Sequence, residues 1–440
     1  MSKKVVILGA GISGLSAAHY LQQEGFESII YDKNETYGGL CRSFPVGDFI
    51  FDVFPHVAFA KDPHVREVFE QDLDYRTFEA EGTNYYKGKW IKHPAMNNLY
   101  PLNTEEKIRI IQDFINRDQA KVVNHYDDWL RKQYGDYFTD HFTRKYTRKY
   151  WTIEPQDMDT KWIGPRMYVP NLEEVLRGAL STETPNVHYS GSNRYPVYGG
   201  NVSFLNNMKS GLKIVCNKTA KKIDTEKKII IFEDGSSDNY DILLSTLPLP
   251  VVCQIIVNTP DIVKKAAEEL DYTIGVMVSL GFRKPKVLPS SGVYIYDENL
   301  IPARLHSPSD FSSETAPEGC SSLQAEVYFS KYKPRTESLD EIMEHVIQQL
   351  SSIGLFEENE IVVKDVRMEE YANIIFRPSI YENRDKIHSY LDDKQIFFAG
   401  RFGEWDYLWM DQSFMSGESD YIRIPNRRCN FASGDHSSDM

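Results

Sequence analysis

Val5-Val6-Ile7-Leu8-Gly9-Ala10-Gly11-Ile12-Ser13-Gly14 decides how this chain begins to fold. Four consecutive apolar residues suit a strand buried on both faces. The glycines follow at once, and Leu15, Ala18 and Leu21 then recur at helical spacing up to Gly25, which closes the helix. Ser28 to Tyr31 supplies a second strand, with Asp32 at its end. Gly9 permits the tight turn. Gly11 lets a pyrophosphate approach the backbone at the positive helix N-terminus, and Gly14 allows the helix to pack closely on the strand. Asp32, 18 residues beyond Gly14, can accept hydrogen bonds from a ribose hydroxyl. The strand–turn–helix–strand context separates this dinucleotide fingerprint from its other reading, a helix turn that merely needs small residues.

Working outward, 440 residues suffice for two or three domain-sized cores at about 150 residues each. The composition, 41% hydrophobic and 26% charged, is that of an ordinary folded protein. A net charge of −14 argues against nucleic acid or an anionic membrane as the main partner, since both require a basic footprint. It leaves room for a small anionic ligand, for which a few local arginines are enough. No stretch approaches the roughly 18–20 apolar residues of a membrane span. Met1 to Lys4, followed by only four apolar residues before Gly9, is too short for a signal peptide. Cys41, Cys216, Cys253, Cys320 and Cys429 form no CxxC pair and read as reduced thiols, giving a cytoplasmic expectation.

The next element, Tyr37-Gly38-Gly39-Leu40-Cys41-Arg42, chooses among dinucleotides. A diglycine shortly after the acidic residue resembles the second glycine motif of the flavoprotein group that includes amine oxidases, where bare backbone passes close to flavin. The resemblance implies FAD; the other reading is a plain loop. Farther along, residues 103–149 turn helical and aromatic-rich, with Ile108, Ile111, Phe114 and Ile115 on one expected face. Lys228–Phe232, the turn at Asp234-Gly235 and Ile242–Leu244 read as strands returning to the first domain. Residues 272–332 alternate like strands of a separate sheet (Val276, Val278, Leu280; Val293, Ile295), and Ile396 to Gly400 is a buried strand delivering Arg401-Phe402-Gly403. The expected fold is therefore α/β. A Rossmann-like FAD-binding domain comprises 1–60, 191–260 and 361–422, with a mainly helical insertion at 61–190 and an antiparallel-sheet insertion at 261–360, both facing substrate. Residues 423–440 are expected to be a loose tail.

An ordered set of further motifs is similar to UDP-galactopyranose mutases, from the N-terminus to about residue 420. Phe54-Pro55-His56-Val57-Ala58-Phe59 and Tyr86-Lys87-Gly88-Lys89, leading to His93-Pro94-Ala95-Met96-Asn97, resemble their flavin-side loop and following hairpin. Lys149-Tyr150-Trp151 and Trp162-Ile163-Gly164-Pro165-Arg166 resemble the stretch carrying a diphosphate-binding arginine. Ile301-Pro302-Ala303-Arg304, with Gln324-x-Glu326-Val327, resembles the segment with the second. Gly400-Arg401-Phe402-Gly403-Glu404-Trp405-x-Tyr407 and Met410-Asp411-Gln412-Ser413 resemble the C-terminal flavin signature. Three departures stand out. His56 is followed by Val-Ala-Phe where bacterial mutases more often have another His. Tyr195-Pro196-x-Tyr198-Gly199-Gly200 is shared broadly with protoporphyrinogen-oxidase-like and amine-oxidase-like proteins, and no aromatic pair for a uracil can be placed.

The resemblance implies a flavin-dependent isomerase that interconverts pyranose and furanose forms of a nucleotide sugar. The sugar would pass through an adduct at N5 of reduced flavin, with no net redox change and with a separate reductant as partner. Arg166 and Arg304 would clamp the diphosphate by bidentate, charge-assisted bonds, Tyr381 and Tyr407 would donate phenolic hydrogen bonds to it, and Trp151 would wall the sugar. His56 would contact the flavin. Gly9, Gly11, Gly14, Asp32, Gly38, Gly39, Arg401, Gly403, Asp411, Gln412 and Ser413 would hold FAD. Each residue also has a plainer reading: surface ion pairs for the arginines, core packing for Trp151 and the tyrosines, a satisfied structural histidine for His56. Two other functions fit the flavin motifs. One is an oxidoreductase of the amine oxidase or protoporphyrinogen oxidase type, which needs no diphosphate clamp; the other is a flavin-bearing scaffold without turnover.

Overall fold

The computed structural model describes residues 3–187 and 190–426. Around the opening strand, Val5–Leu8, the chain builds a five-stranded sheet in the order Ile396–Phe398, Ile242–Ser245, Val5–Leu8, Ser28–Tyr31, Lys213–Val215. Every neighbouring pair is parallel. Val5 pairs with Ile242 on one side and Ser28 on the other, and all four residues of the strand are buried, which explains their unbroken apolar run.

The chain forms two compact units. The first comprises Met1–Tyr37, Met208–Val263 and Ile387–Met440, and the second comprises Gly38–Asn207 and Lys264–Lys386. In the first unit the helix Ile12–Gln23 follows the glycine turn and receives the helix Met410–Asn426 against its side. Small residues set that approach. Ser13 Oγ donates to the Ser413 carbonyl (2.7 Å) and Ser16 Oγ to that of Phe414 (2.8 Å). A Cβ on Gly417 would lie 2.2 Å from the Ser13 oxygen. This helix takes in residues 423–426 of the expected tail; the remainder, 427–440, lies outside the described residues. The strands Ala220–Asp224, Ile229–Phe232 and Ser237–Asn239 form a three-stranded antiparallel sheet in the same unit.

The second unit is organised by a seven-stranded sheet. Its order is Ile361–Ile374, Tyr272–Phe282, Ser321–Phe329, Arg304–His306, Gly292–Ile295, Gly82–Tyr86, Lys89–Lys92, antiparallel except where Gly292–Ile295 meets Gly82–Tyr86. The helix Leu339–Ser352 brings Ile342, Val346 and Leu350 into one core with Val278 and Leu280 of the sheet. All nine residues of Ser321–Phe329 are buried.

Helices also dominate residues 104–180, but the helix Thr104–Asn116 is rolled relative to the expected face. It buries Ile110 and Phe114 and leaves Ile108 (44%) and Ile115 (55%) exposed. The cause is Glu106, which turns inward on the buried face. There Lys87 Nζ (2.8 Å) and the Tyr86 and Tyr137 hydroxyls (3.3 Å each) satisfy its carboxylate. Among the described residues no helix is long and apolar enough to cross a membrane.

Candidate functional site

In the first unit, stretches far apart in sequence meet at the start of the helix Ile12–Gln23. Gly9 has φ +102°, and a Cβ there would lie 2.2 Å from Thr246 Oγ1; a Cβ on Gly14 would lie 2.0 Å from the Gly9 oxygen. Neither position accepts a side chain. Gly11 is the N-cap, and among the described residues no side chain caps this helix. Asp32 is buried; its Oδ2 accepts the Ala10 N–H (2.7 Å), and Oδ1 accepts the backbone and amide nitrogens of Asn34 (2.8 Å each). The carboxylate thus ties the end of the second strand to the glycine turn.

The C-terminal motif arrives from the other side. A Cβ on Gly400 would lie 2.4 Å from Ser13 Oγ, and the Gly400 N–H donates to Ser416 Oγ (2.7 Å). Arg401 opens a π-helical turn, Arg401–Trp405; its Nε donates to the Leu408 carbonyl (3.0 Å) and its guanidinium sits 4.9 Å from the Tyr407 ring centroid. A Cβ on Gly403 would come within 3.3 Å of the Ser245 oxygen. Asp411, Gln412 and Ser413 begin the helix Met410–Asn426, where Gln412 Oε1 accepts the Trp409 N–H (2.9 Å). Bare backbone, an uncapped helix N-terminus and a buried carboxylate are what the phosphates and ribose of a dinucleotide require. The residues present fit such a cofactor.

The second unit carries the diglycine, with Gly38 at φ +115° and Gly39 at φ +58°, and gathers most of the other candidates onto one aromatic and charged cluster. His56 Nδ1 is 2.7 Å from the Phe54 carbonyl, which can only accept, so Nδ1 carries the proton. Phe54 stacks on Tyr328 (6.5 Å between centroids), and Tyr328 meets Tyr150 at 4.8 Å. Arg304 Cζ lies 5.5 Å from the Tyr150 centroid. Trp151 packs against Tyr150 (5.0 Å) and Trp162 (5.1 Å) and is only 4% exposed. Arg166, half-buried in the turn Gly164–Arg166, donates from Nη1 to the Trp162 carbonyl (3.1 Å). A continuous aromatic path, Trp162–Trp151–Tyr150, therefore links the segments of Arg166 and Arg304. Tyr381 begins the helix Ile380–Asp393 and has Lys161 Nζ 4.7 Å above its ring, whereas Tyr407 belongs to the first unit.

Electrostatics single out residues that motif reading left without a role. Glu326 has no exposed side-chain surface and pairs with Arg304, whose Nε and Nη2 lie 2.9–3.1 Å from its oxygens. Burial opposes charge on Glu326, but Arg304 and then His306 outweigh it and bring its pKa down to about 2. Burial likewise opposes the Arg304 cation, and Glu326 holds it well above its ordinary range. Burial pushes the pKa of His306 down, against the upward pull of Glu326. A second buried acid, Asp52, accepts from Ser43 Oγ (2.6 Å), the Tyr195 hydroxyl (2.8 Å) and the Asn201 N–H (3.1 Å), yet burial pushes it up to about 6. Lys149, also buried, donates to the Ile295 (3.0 Å) and Asp297 (2.9 Å) carbonyls, and burial lowers its pKa well below the ordinary value. The signal for the Glu326 group lay in alternation. Gln324, Glu326 and Tyr328 share one face of a buried strand, an unusual place for a polar row.

The flavin containing amine oxidoreductase model matches residues 12–419. A structure of reduced UDP-galactopyranose mutase superposes with a TM-score of 0.90 at 26% identity, covering 97% of this chain and 96% of that one. A 4,4'-diaponeurosporene oxygenase of Staphylococcus haemolyticus is 42% identical over 55 residues, 12% of this chain and 11% of the relative. A zeta-carotene-forming phytoene desaturase of Myxococcus xanthus is 34% identical over 80 residues, 18% and 14% respectively. Each of these two matches spans less than a fifth of the relative's own length. The family model, by contrast, runs through nearly the whole chain: the protein belongs to the flavin containing amine oxidoreductase family, which implies FAD as its cofactor.

Proposed function

We propose that this chain is a flavin-dependent nucleotide-sugar mutase, exchanging pyranose and furanose ring forms without net oxidation. The observation that carries the reading is the likeness, over 97% of the chain, to reduced UDP-galactopyranose mutase. Reduced FAD would supply a nucleophile toward the anomeric carbon of the sugar. Gly9, Gly11, Gly14, Asp32, Gly38, Gly39, Arg401, Gly403, Asp411, Gln412 and Ser413 would hold the cofactor. Arg166 and Arg304 would bind the diphosphate and stabilise the charge it gains on leaving. Nε of Arg304 donates to both Glu326 oxygens and Nη2 lies 2.9 Å from one of them, so Nη1 is the side it would offer to a phosphate. The His56 ring, held by its Nδ1–H bond to the Phe54 carbonyl, would lie against the flavin. Tyr381 and Tyr407 would donate to the phosphates.

Incubating dithionite-reduced protein with UDP-galactopyranose and separating the products tests this directly. A furanose product formed without consumption of reductant is expected. Stoichiometric hydrogen peroxide from a defined substrate would overturn it in favour of an oxidoreductase, the reading that the desaturase and oxygenase relatives favour. Arg166→Ala should weaken UDP binding about ten- to a hundred-fold with flavin content unchanged, since a charge-assisted bond contributes about 1.5–3 kcal/mol; Arg304→Lys, which keeps a cation beside buried Glu326, should do so about ten-fold.

A further inference from the structure

We propose that Glu326 is a positioning residue for Arg304, locking the guanidinium so that its Nη1 side is turned to an anionic ligand. The proposal rests on the nucleotide-sugar reading for the identity of that ligand. Its basis is the strand register. Arg304 pairs with Glu326 and His306 with Gln324 across neighbouring antiparallel strands, and Tyr328 follows Glu326 on the same face. Glu326 thereby accepts hydrogen bonds from Arg304 Nε (3.0 and 3.1 Å), His306 Nε2 (2.8 Å) and the Tyr328 hydroxyl (2.6 Å), with Arg304 Nη2 2.9 Å away as an ion-pair contact. An ionised carboxylate only accepts, so His306 must carry a proton on Nε2. With about four acceptor sites on a carboxylate, the position of Glu326 is fully determined.

Arg304 differs from its partner. Its side chain keeps 22% of its surface exposed against none for Glu326, and among the described residues Nη1 has no hydrogen-bond partner. Tyr150 flanks the guanidinium. A pair serving stability alone would have no need of an outward edge, and buried pairs are often replaceable by apolar residues at no cost. Because Glu326 already compensates the charge of Arg304, the alignment of the fork matters more to an incoming diphosphate than the bare charge. That places Glu326 in the recognition of the leaving group without contact to it.

The test is a double-mutant cycle on FAD-loaded protein, with UDP titrated by flavin fluorescence in the parent, Arg304→Lys, Glu326→Gln and the double variant. Each single variant should bind UDP about ten-fold more weakly, and the double variant also about ten-fold, because a lysine has no fork left to align. A roughly hundred-fold, additive loss in the double variant would overturn the proposal while leaving the mutase reading intact. So would parental affinity in Glu326→Gln beside a weakened Arg304→Lys. Parental affinity in Arg304→Lys would instead reject the nucleotide-sugar reading and the proposal with it. Should Glu326→Gln fail to fold, Tyr328→Phe and His306→Gln keep the ion pair and decide the matter. About three-fold weaker UDP binding in both supports the positioning role, and unchanged binding in both overturns it.

Discussion

In the first unit the groups that fit a phosphate belong to the main chain, shaped by three glycines within six residues and by an uncapped helix. In the second unit the groups suited to an anion are side-chain charges on strands that meet only in the folded sheet, Arg304 and Glu326 being 22 positions apart. The two solutions fail in different ways. A backbone cradle tolerates no added atom, because the space is filled at Gly14 by the turn itself and at Gly9 by Thr246. A buried charge pair tolerates no lost atom, because whatever remains is an uncompensated ion. Gain of a methyl group should therefore be ruinous in one unit and loss of a carboxylate in the other.

The largest effect is expected from Gly14→Val. Its Cβ would sit 2.0 Å from the Gly9 oxygen, so strand and helix cannot both stay in place. Purified protein should carry less than about a tenth of the parent's flavin absorbance per chain. Full flavin occupancy in a folded Gly14→Val variant would break the comparison at its root. In the second unit Glu326→Ala should cost about 3–5 kcal/mol in urea denaturation by stranding the Arg304 cation among buried rings. A loss below about 1 kcal/mol would show that water reaches and solvates that guanidinium.

Asp52 sharpens the contrast, since it is a buried acid with hydrogen bonds and, among the described residues, no ion-pair partner. Its pKa in the folded protein is raised to about 6, so the folded state holds the proton more tightly than the unfolded chain does. That contribution is complete below about pH 4 and is lost as pH rises through about 6, amounting to roughly 3 kcal/mol for a two-unit shift. The parent should therefore lose stability relative to Asp52→Asn between pH 4.5 and 7, by about 2–3 kcal/mol in paired denaturation curves. A difference between the two proteins that does not change with pH would refute the raised pKa. The smallest effect belongs to the rolled helix: Ile115→Lys, at an exposed position, should change stability by less than about 0.5 kcal/mol. A larger loss would mean that the expected apolar face is covered after all.

Legibility followed the same division. Gly9, Gly11, Gly14 and Asp32 could be read because strand, turn and helix are contiguous, and Gly9 and Gly14 each have a steric cause. The helix Thr104–Asn116 was misjudged in its face because periodicity counts isoleucines and does not see Lys87, which draws Glu106 inward. Arg304 was found through family likeness, but its pairing with Glu326 was invisible in sequence. Nothing in either segment states that His306 and Arg304 will both point at the same carboxylate.

The sequence by itself determined the dinucleotide turn, the buried parallel strand that opens the chain and the order of motifs that marks the family. Those features rest on backbone sterics and on apolar runs, interactions between residues that are neighbours or nearly so. Only the tertiary structure decided which side of Arg304 faces Glu326, which carboxylate is held ionised at Glu326 and which is kept protonated to about pH 6 at Asp52. The reason is physical. Ionisation and orientation depend on burial and on charges a few ångströms away, and those distances come into being only when strands remote in sequence are laid side by side.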